Sequence, residues 1–233
     1  MRPRRMTPSA RSLPMLRAAT DGAQARRDRA RRLSGLYAIT PDLADTDDLV
    51  ARVKAAAIGG ASAIQYRNKI ADAALRRRQA EALARVAKAH RVLLVINDDP
   101  ALSMAVDADG VHVGREDGGV EAARRVVGPH RIVGVSCYDS FALAENAVAA
   151  GADYVAFGSF FPSIVKPDAC RADPSLLRRA AALGVPVVAI GGIDASNVGE
   201  IVRAGASAAA VISAVFDAPD VKAAAGAIAA AFG

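Results

Sequence analysis

The 233-residue chain is expected to fold as a (β/α)8 TIM barrel, one α/β domain behind a basic N-terminal extension. Three observations lead there. From residue 36 onward, short apolar runs alternate with longer helical patterns, eight times and with one polarity, and such an alternation closes most naturally as a parallel barrel. The composition is 52% hydrophobic but only 4% aromatic, without Trp, which suits Ala-, Val-, Leu- and Ile-rich helices packed on a buried parallel sheet. The Gly-x-Gly-x-x-Gly turn of an open doubly wound sheet is missing, because the first apolar run is followed by Thr40-Pro41-Asp42.

Residues 36–39 read as the first strand, and 45–58 as a helix started by Asp45 or Thr46. The second strand ends in Gln65-Tyr66-Arg67-Asn68-Lys69 and leads to a helix over 72–90 with Asp72 as its N-cap. Residues 92–96 form the clearest buried strand, followed by Asn97-Asp98-Asp99-Pro100 and a short helix over 101–106. Strand four spans 110–113 and its helix 119–127; strand five spans 131–135 and its helix 141–150. Strand six spans 154–157, an irregular stretch runs to Asp173, and a helix covers 174–183. Strand seven spans 186–190, with a helix over 196–204; the last strand lies near 209–212, before an Ala-rich helix over 217–232.

The net charge of +6 is unevenly placed. Residues 1–35 hold ten Arg against Asp21 and Asp28, a net of +8, which leaves −2 for residues 36–233. A nucleic-acid function would have to rest on that extension, expected to be disordered or partly helical, and no nucleic-acid partner is expected. No apolar run approaches the ~20 residues that cross a bilayer, and the N-terminus lacks the apolar stretch of a secretory signal, so a cytoplasmic protein with no membrane partner is expected. Two cysteines, Cys137 and Cys170, offer neither a disulfide framework nor metal-ligand spacing.

The polar residues just after the strands carry the functional signal. In an extended chain Gln65, Arg67 and Lys69 share one face, and an amide with two cations suits an anionic ligand, although a solvated edge strand would look alike. Strand three ends in Asn97 and Asp98, strand four leads to Asp117, strand five to Ser136, and strand six to a loop reaching Lys166. Asp98 and Asp117 could form salt bridges, hold a hard divalent cation with phosphate oxygens, or act as an acid/base pair; the surrounding cations favour phosphate with Mg2+. Gly191-Gly192 after strand seven and Ile212-Ser213 after strand eight match the recurrent phosphate site of such barrels. Two phosphorylated groups are therefore expected to face each other across the barrel mouth.

In order, the chain carries Leu36-Tyr37-Ala38-Ile39-Thr40, Gln65-Tyr66-Arg67-Asn68-Lys69, Ile96-Asn97-Asp98 and Ala108-Asp109-Gly110-Val111-His112. It continues with Gly134-Val135-Ser136, the run from Phe157 to Ser163, Ala189-Ile190-Gly191-Gly192-Ile193 and Val211-Ile212-Ser213. As a set these resemble the thiamine-phosphate synthase family. The resemblance implies that Gln65, Arg67, Lys69 and Asn97 hold a pyrimidine diphosphate, that Asp98 and Asp117 bind Mg2+ on it, and that Ser136 and Lys166 touch its pyrimidine and diphosphate. It further implies that Ser163, Ile164 and Val165, with Gly192, Ile212 and Ser213, receive a thiazole phosphate. The partners would be small phosphorylated substrates, and a homo-oligomer is compatible with the pattern.

Three positions depart from the family. Val165 stands where a second Thr is frequent, Arg115 where Gln is common, and Cys137-Tyr138 where Thr-His is usual. A related thiazole tautomerase would need a His shortly after strand five, which Ser136-Cys137-Tyr138 does not supply. The other alternative is a barrel that binds a phosphorylated ligand without turnover. His112 reads as a support of the barrel mouth and Cys137 as a packing residue.

Overall fold

Short runs of β-branched and small apolar residues extend into eight strands: β1 Gly35–Ile39, β2 Ala61–Tyr66, β3 Leu93–Asn97, β4 Gly110–Val113, β5 Ile132–Tyr138, β6 Tyr154–Phe157, β7 Val187–Ile190 and β8 Ala208–Val211. All pair in parallel in chain order, and β8 returns to β1 with Gly35 opposite Ala208, so the barrel closes. The computed structural model describes residues 12–114, 118–162 and 171–233, with side chains from residue 22 onward.

The helices are α1 Ser12–Arg31, α2 Thr46–Ile58, α3 Ala73–His90, α4 Pro100–Ala105, α5 Gly119–Val127, α6 Phe141–Ala149, α7 Ser175–Ala180, α8 Val198–Arg203, α9 Ser213–Phe216 and α10 Val221–Ala229. Their starts are chemically marked. The Asp45 carboxylate accepts from the Asp47 and Asp48 amides, and Asp72 and Asp99 accept from the third residue beyond themselves, satisfying N–H groups that a helix start leaves unpaired. None of the described helices is long and apolar enough to cross a membrane.

Some boundaries differ from expectation. Strand five runs on to Tyr138, so Ser136 belongs to the ladder, opposite Ala156 of β6. The C-terminal helix expected from 217 starts only at Val221, because Pro219 has no amide to donate and Asp220 caps the start by accepting from the Ala223 amide; the short α9 lies before the expected span. Ser213, expected in a loop, opens α9.

The alternation of side chains along each strand sorts the apolar residues into two cores. Leu36, Ala38, Ile64, Leu94, Ile96, Val111 and Val133 face outward into the shell of helices. Tyr37, Ile39, Ala63, Leu93, Val95, Ile132, Tyr154 and Val188 fill the barrel interior.

Ala30 and Leu33 join that interior core, Leu33 with no exposed surface, so the end of α1 and the turn after it form the barrel floor. Burying one Leu contributes about 1.5–3 kcal/mol. Polar contacts fix the segment in place. Arg26 donates to Asp153 Oδ1 at 2.5 Å and to the Pro129 carbonyl at 3.0 Å, Arg29 to the His130 carbonyl at 2.8 Å, and Arg32 to the Arg91 carbonyl at 2.8 Å. Asp153 is only 4% exposed and is also held by Arg124 and the Val133 amide, so its buried charge is fully compensated.

Candidate active site

Because all eight strands are parallel, the residues that follow them meet at one face. Arg67, Lys69, Asn97 and Asp98 line a pocket of about 280 Å³ there, together with Tyr66, Asn68 and Arg76. The ends of neighbouring strands are stitched by side chains. The Thr40 hydroxyl donates to the Arg67 carbonyl at 2.8 Å and accepts from its amide at 2.9 Å, which holds the end of β2 against β1. The Asp98 amide donates to the His112 carbonyl at 2.8 Å, tying β3 to β4 in the same way. Asp98 itself has φ 61°, a left-handed conformation tolerated by Asp, and its carboxylate accepts from Asn97 Nδ2 at 2.6 Å.

Arg67 is not an open fork. Its Nη1 lies 3.1 and 3.2 Å from the two carboxylate oxygens of Asp42, whose Oδ1 also accepts from the Lys69 amide at 2.8 Å. Asn68 is scaffold: its Oδ1 accepts from the Ile70 and Ala71 amides, and its Nδ2 donates to the Leu43 carbonyl and to Gln79. Sequence reasoning missed Asp42, Gln79 and Arg76. Asp42 was recoverable, as an acidic residue in the loop after strand one; Gln79 and Arg76 lie within α3 among other polar residues and gave no local signal.

Gln65 departs from its expected place beside Arg67 and Lys69. The strand ends at Tyr66, so alternation no longer governs Arg67 and Lys69, while Gln65 points into the barrel at 3% exposure. There it begins a buried chain of hydrogen bonds. Gln65 Nε2 donates to Tyr37 Oη at 2.8 Å, Tyr37 Oη lies 2.9 Å from Tyr154 Oη, and Tyr154 Oη lies 2.9 Å from His112 Nδ1. His112 Nε2 is 2.9 Å from Ser136 Oγ, just below the mouth.

One assignment of protons leaves each of these buried donors with an acceptor. Tyr37 donates to Tyr154, Tyr154 to His112 Nδ1, and His112 Nε2–H to Ser136, which leaves the Ser136 proton to donate elsewhere. Burial pushes both tyrosine hydroxyls well above their ordinary value, so they stay protonated. Gly134 makes the chain possible: a Cβ there would lie 1.8 Å from Tyr154 Cζ, inside the ring. Cys137 lies in the outer core with no exposed surface, and burial pushes its thiol up to about 12.

Directly after β7, Gly191 and Gly192 have φ of 101° and 68°, which side-chain-bearing residues rarely adopt. The Gly191 carbonyl accepts from the Phe161 amide at 3.0 Å and the Gly192 carbonyl from Asn197 Nδ2 at 2.9 Å, so the turn is held from both sides. A Cβ on Gly192 would lie 2.3 Å from the Pro162 carbonyl oxygen. Ile212 and Ser213 come directly after the adjacent strand, β8, at the start of α9. Asp117, Ser163, Ile164, Val165 and Lys166, and with them Arg115, lie outside the described residues.

Asp98 offers hard carboxylate oxygens at the pocket, and no group of three His, Cys, Asp or Glu gathers among the described residues. That donor set fits Mg2+, which takes one or two carboxylates and completes its shell with water and substrate phosphate.

Residues 36–215 match the family model described as thiamine monophosphate synthase. The chain is 54% identical over 202 residues to the thiamine-phosphate synthase of Chromobacterium violaceum, covering 87% of this chain and 98% of that protein. It is 52% identical over 192 residues to that of Thiobacillus denitrificans, covering 82% of this chain and 91% of the other. The structure is similar to thiamine phosphate pyrophosphorylase from Pyrococcus furiosus, with a TM-score of 0.77 and 36% identity over 87% of this chain and 96% of that one. The mouth of this barrel and these likenesses converge: the chain belongs to the thiamine monophosphate synthase family.

Proposed function

We propose that the protein condenses 4-amino-5-hydroxymethyl-2-methylpyrimidine diphosphate with 4-methyl-5-(2-phosphoethyl)thiazole, giving thiamine phosphate and diphosphate, or with its carboxylated form, in which case the carboxylate is also lost as CO2. One observation carries this most directly: Arg67, Lys69, Asn97 and Asp98 line a single pocket at the strand ends, as the leaving diphosphate requires.

The bond from the pyrimidine CH2 to the diphosphate oxygen breaks, and the electron pair leaves with the diphosphate. Arg67, Lys69 and Lys166 stabilise the charge that develops there. The electron-rich aminopyrimidine carries the resulting positive charge, so the path is dissociative. Ser136 contacts this ring, using the proton that its bond to His112 leaves over. The thiazole nitrogen then supplies its lone pair to the CH2 carbon; no protein nucleophile and no proton transfer is needed. Gly192, Ile212 and Ser213, with Ser163, Ile164 and Val165, hold the thiazole phosphate and so place that nitrogen. Asp98 and Asp117 would hold Mg2+ on the diphosphate, where it would act as a Lewis acid.

The same reading takes the cytoplasm as compartment and small phosphorylated molecules as partners. Against a nucleic-acid role stands the use of Arg26, Arg29 and Arg32 on the barrel floor.

The test is product formation from the two substrates, with Mg2+ and with EDTA, for wild type and Asp98→Ala. Mg2+-dependent thiamine phosphate that disappears in the variant is expected. No product from wild type under any condition would refute the proposal.

A further inference from the structure

Among the described residues, Arg76 is the third cation that lines the pocket at the strand ends. It lies in the first turns of α3, where a positive charge opposes the helix dipole, so helix formation does not account for it. Its neighbours face outward: Arg77 pairs with Glu81 at 2.9 Å on the surface, and Arg78 is exposed. Arg76 instead lines the pocket with Arg67, Lys69, Asn97 and Asp98. Its Nε is buried and makes no hydrogen bond, and no ion pair holds the guanidinium among the described residues. The charge is felt nearby. Burial pushes the Tyr66 hydroxyl up to about 12, and Arg76 is the principal influence drawing it back down.

An Arg group left without partners inside a pocket is an expense unless an anion meets it there. The contrast with Arg67 is informative. Arg67 is committed to Asp42 at 3.1 Å, whereas the Arg76 guanidinium keeps its donors for a ligand. A diphosphate has two phosphoryl groups, and a guanidinium fork matches the paired oxygens of one of them.

We propose that Arg76 binds the outer phosphate of the leaving diphosphate beside Arg67 and Lys69; the identity of the diphosphate rests on the function proposed above. Arg76 thereby assists departure of the leaving group and has no part in holding the thiazole phosphate.

The test compares Arg76→Gln, Arg76→Lys and the surface control Arg77→Gln. Three constants are measured: KM for the pyrimidine diphosphate, KM for the thiazole phosphate, and Kd of inorganic pyrophosphate with Mg2+ by calorimetry. Arg76→Gln should raise the pyrimidine-diphosphate KM and the pyrophosphate Kd about tenfold, the size of one charge-assisted hydrogen-bonding contact. The thiazole-phosphate KM should stay within about twofold, Arg76→Lys should recover part of the loss, and Arg77→Gln should match wild type. A pyrophosphate Kd unchanged in Arg76→Gln would overturn the proposal, as would a parallel rise of both KM values with a lowered Tm. Should wild type bind pyrophosphate through Arg76 yet make no thiamine phosphate, the anion site stands and the reaction assigned above falls.

Discussion

Replacing Tyr154 by Phe removes one oxygen from the centre of the barrel and little else. The ring keeps its packing, near-perpendicular to Tyr37 with centroids 6.0 Å apart and stacked on His112 at 5.6 Å, so only a small void is left. What changes is the hydrogen-bond chain. Tyr154 Oη has two partners at 2.9 Å, Tyr37 Oη and His112 Nδ1, and its loss leaves the Tyr37 proton without an acceptor and the His112 nitrogen without a donor. Each such buried group costs about 1–3 kcal/mol, so Tyr154→Phe should lose about 2–6 kcal/mol, or roughly 4–24 °C in Tm for a protein of this size. The assay is urea denaturation, reading the midpoint at constant m-value. The double variant Tyr37→Phe/Tyr154→Phe should be more stable than the sum of the singles predicts, by about 1–3 kcal/mol, because the groups each single strands on the other ring are then gone. The substitution also frees His112 to accept from Ser136, turning the serine proton inward, and kcat/KM should fall about tenfold. Additive losses in the cycle, or a midpoint equal to wild type, would refute the assignment of protons through the barrel.

Other outcomes follow from the floor, the glycine turn and the buried thiol. Removing residues 1–21 should leave turnover and urea midpoint unchanged, while removing 1–34 takes away Ala30, Leu33 and the Arg26–Asp153 pair and should cost at least ~3 kcal/mol in the same denaturation assay. The Ser196 hydroxyl, helped by the Ser196 and Asn197 amides, holds the Asp194 carboxyl below its ordinary value. Its contribution should therefore be complete above about pH 4–5 and be lost as pH falls through the lowered value; Asp194→Asn should flatten the urea midpoint against pH in that acid range. In a Cys170→Ser background, Cys137 should resist a thiol-specific disulfide reagent at pH 8.5 and react once the protein is unfolded, because burial has pushed its thiol up to about 12.

The barrel was legible because its period is strict. Each strand is a short apolar run, and the caps Asp45 and Asp72 stand at their helices as expected. The pocket residues Arg67, Lys69, Asn97 and Asp98 were found for the same reason, since polar residues directly after apolar runs stand out. The C-terminal helix was misjudged where Pro219 interrupts an otherwise continuous Ala-rich pattern. Gln65 was misplaced because the alternation rule was carried past Tyr66, where the strand ends. The interior hydrogen-bond chain was invisible because its members lie 24 to 117 residues apart and meet only when the barrel closes. Arg76 was hidden within a run of three arginines, where only the helix rotation tells which one faces the pocket.

The floor has a consequence for the order in which the protein can be made. Leu33 is synthesised early, but the interior core it joins also includes Val188, Ala208 and Ala210, which emerge from the ribosome 155 to 177 residues later. Gly35 likewise waits for Ala208 before β1 has its second neighbour. Loop closure over that span is slow compared with local helix formation, so α2 and α3 can pack against β1 and β2 while the interior still lacks its far wall. The first segment of the described chain is thus among the last to reach its final position, and a chain stalled before β8 would leave Leu33 exposed for a chaperone to bind.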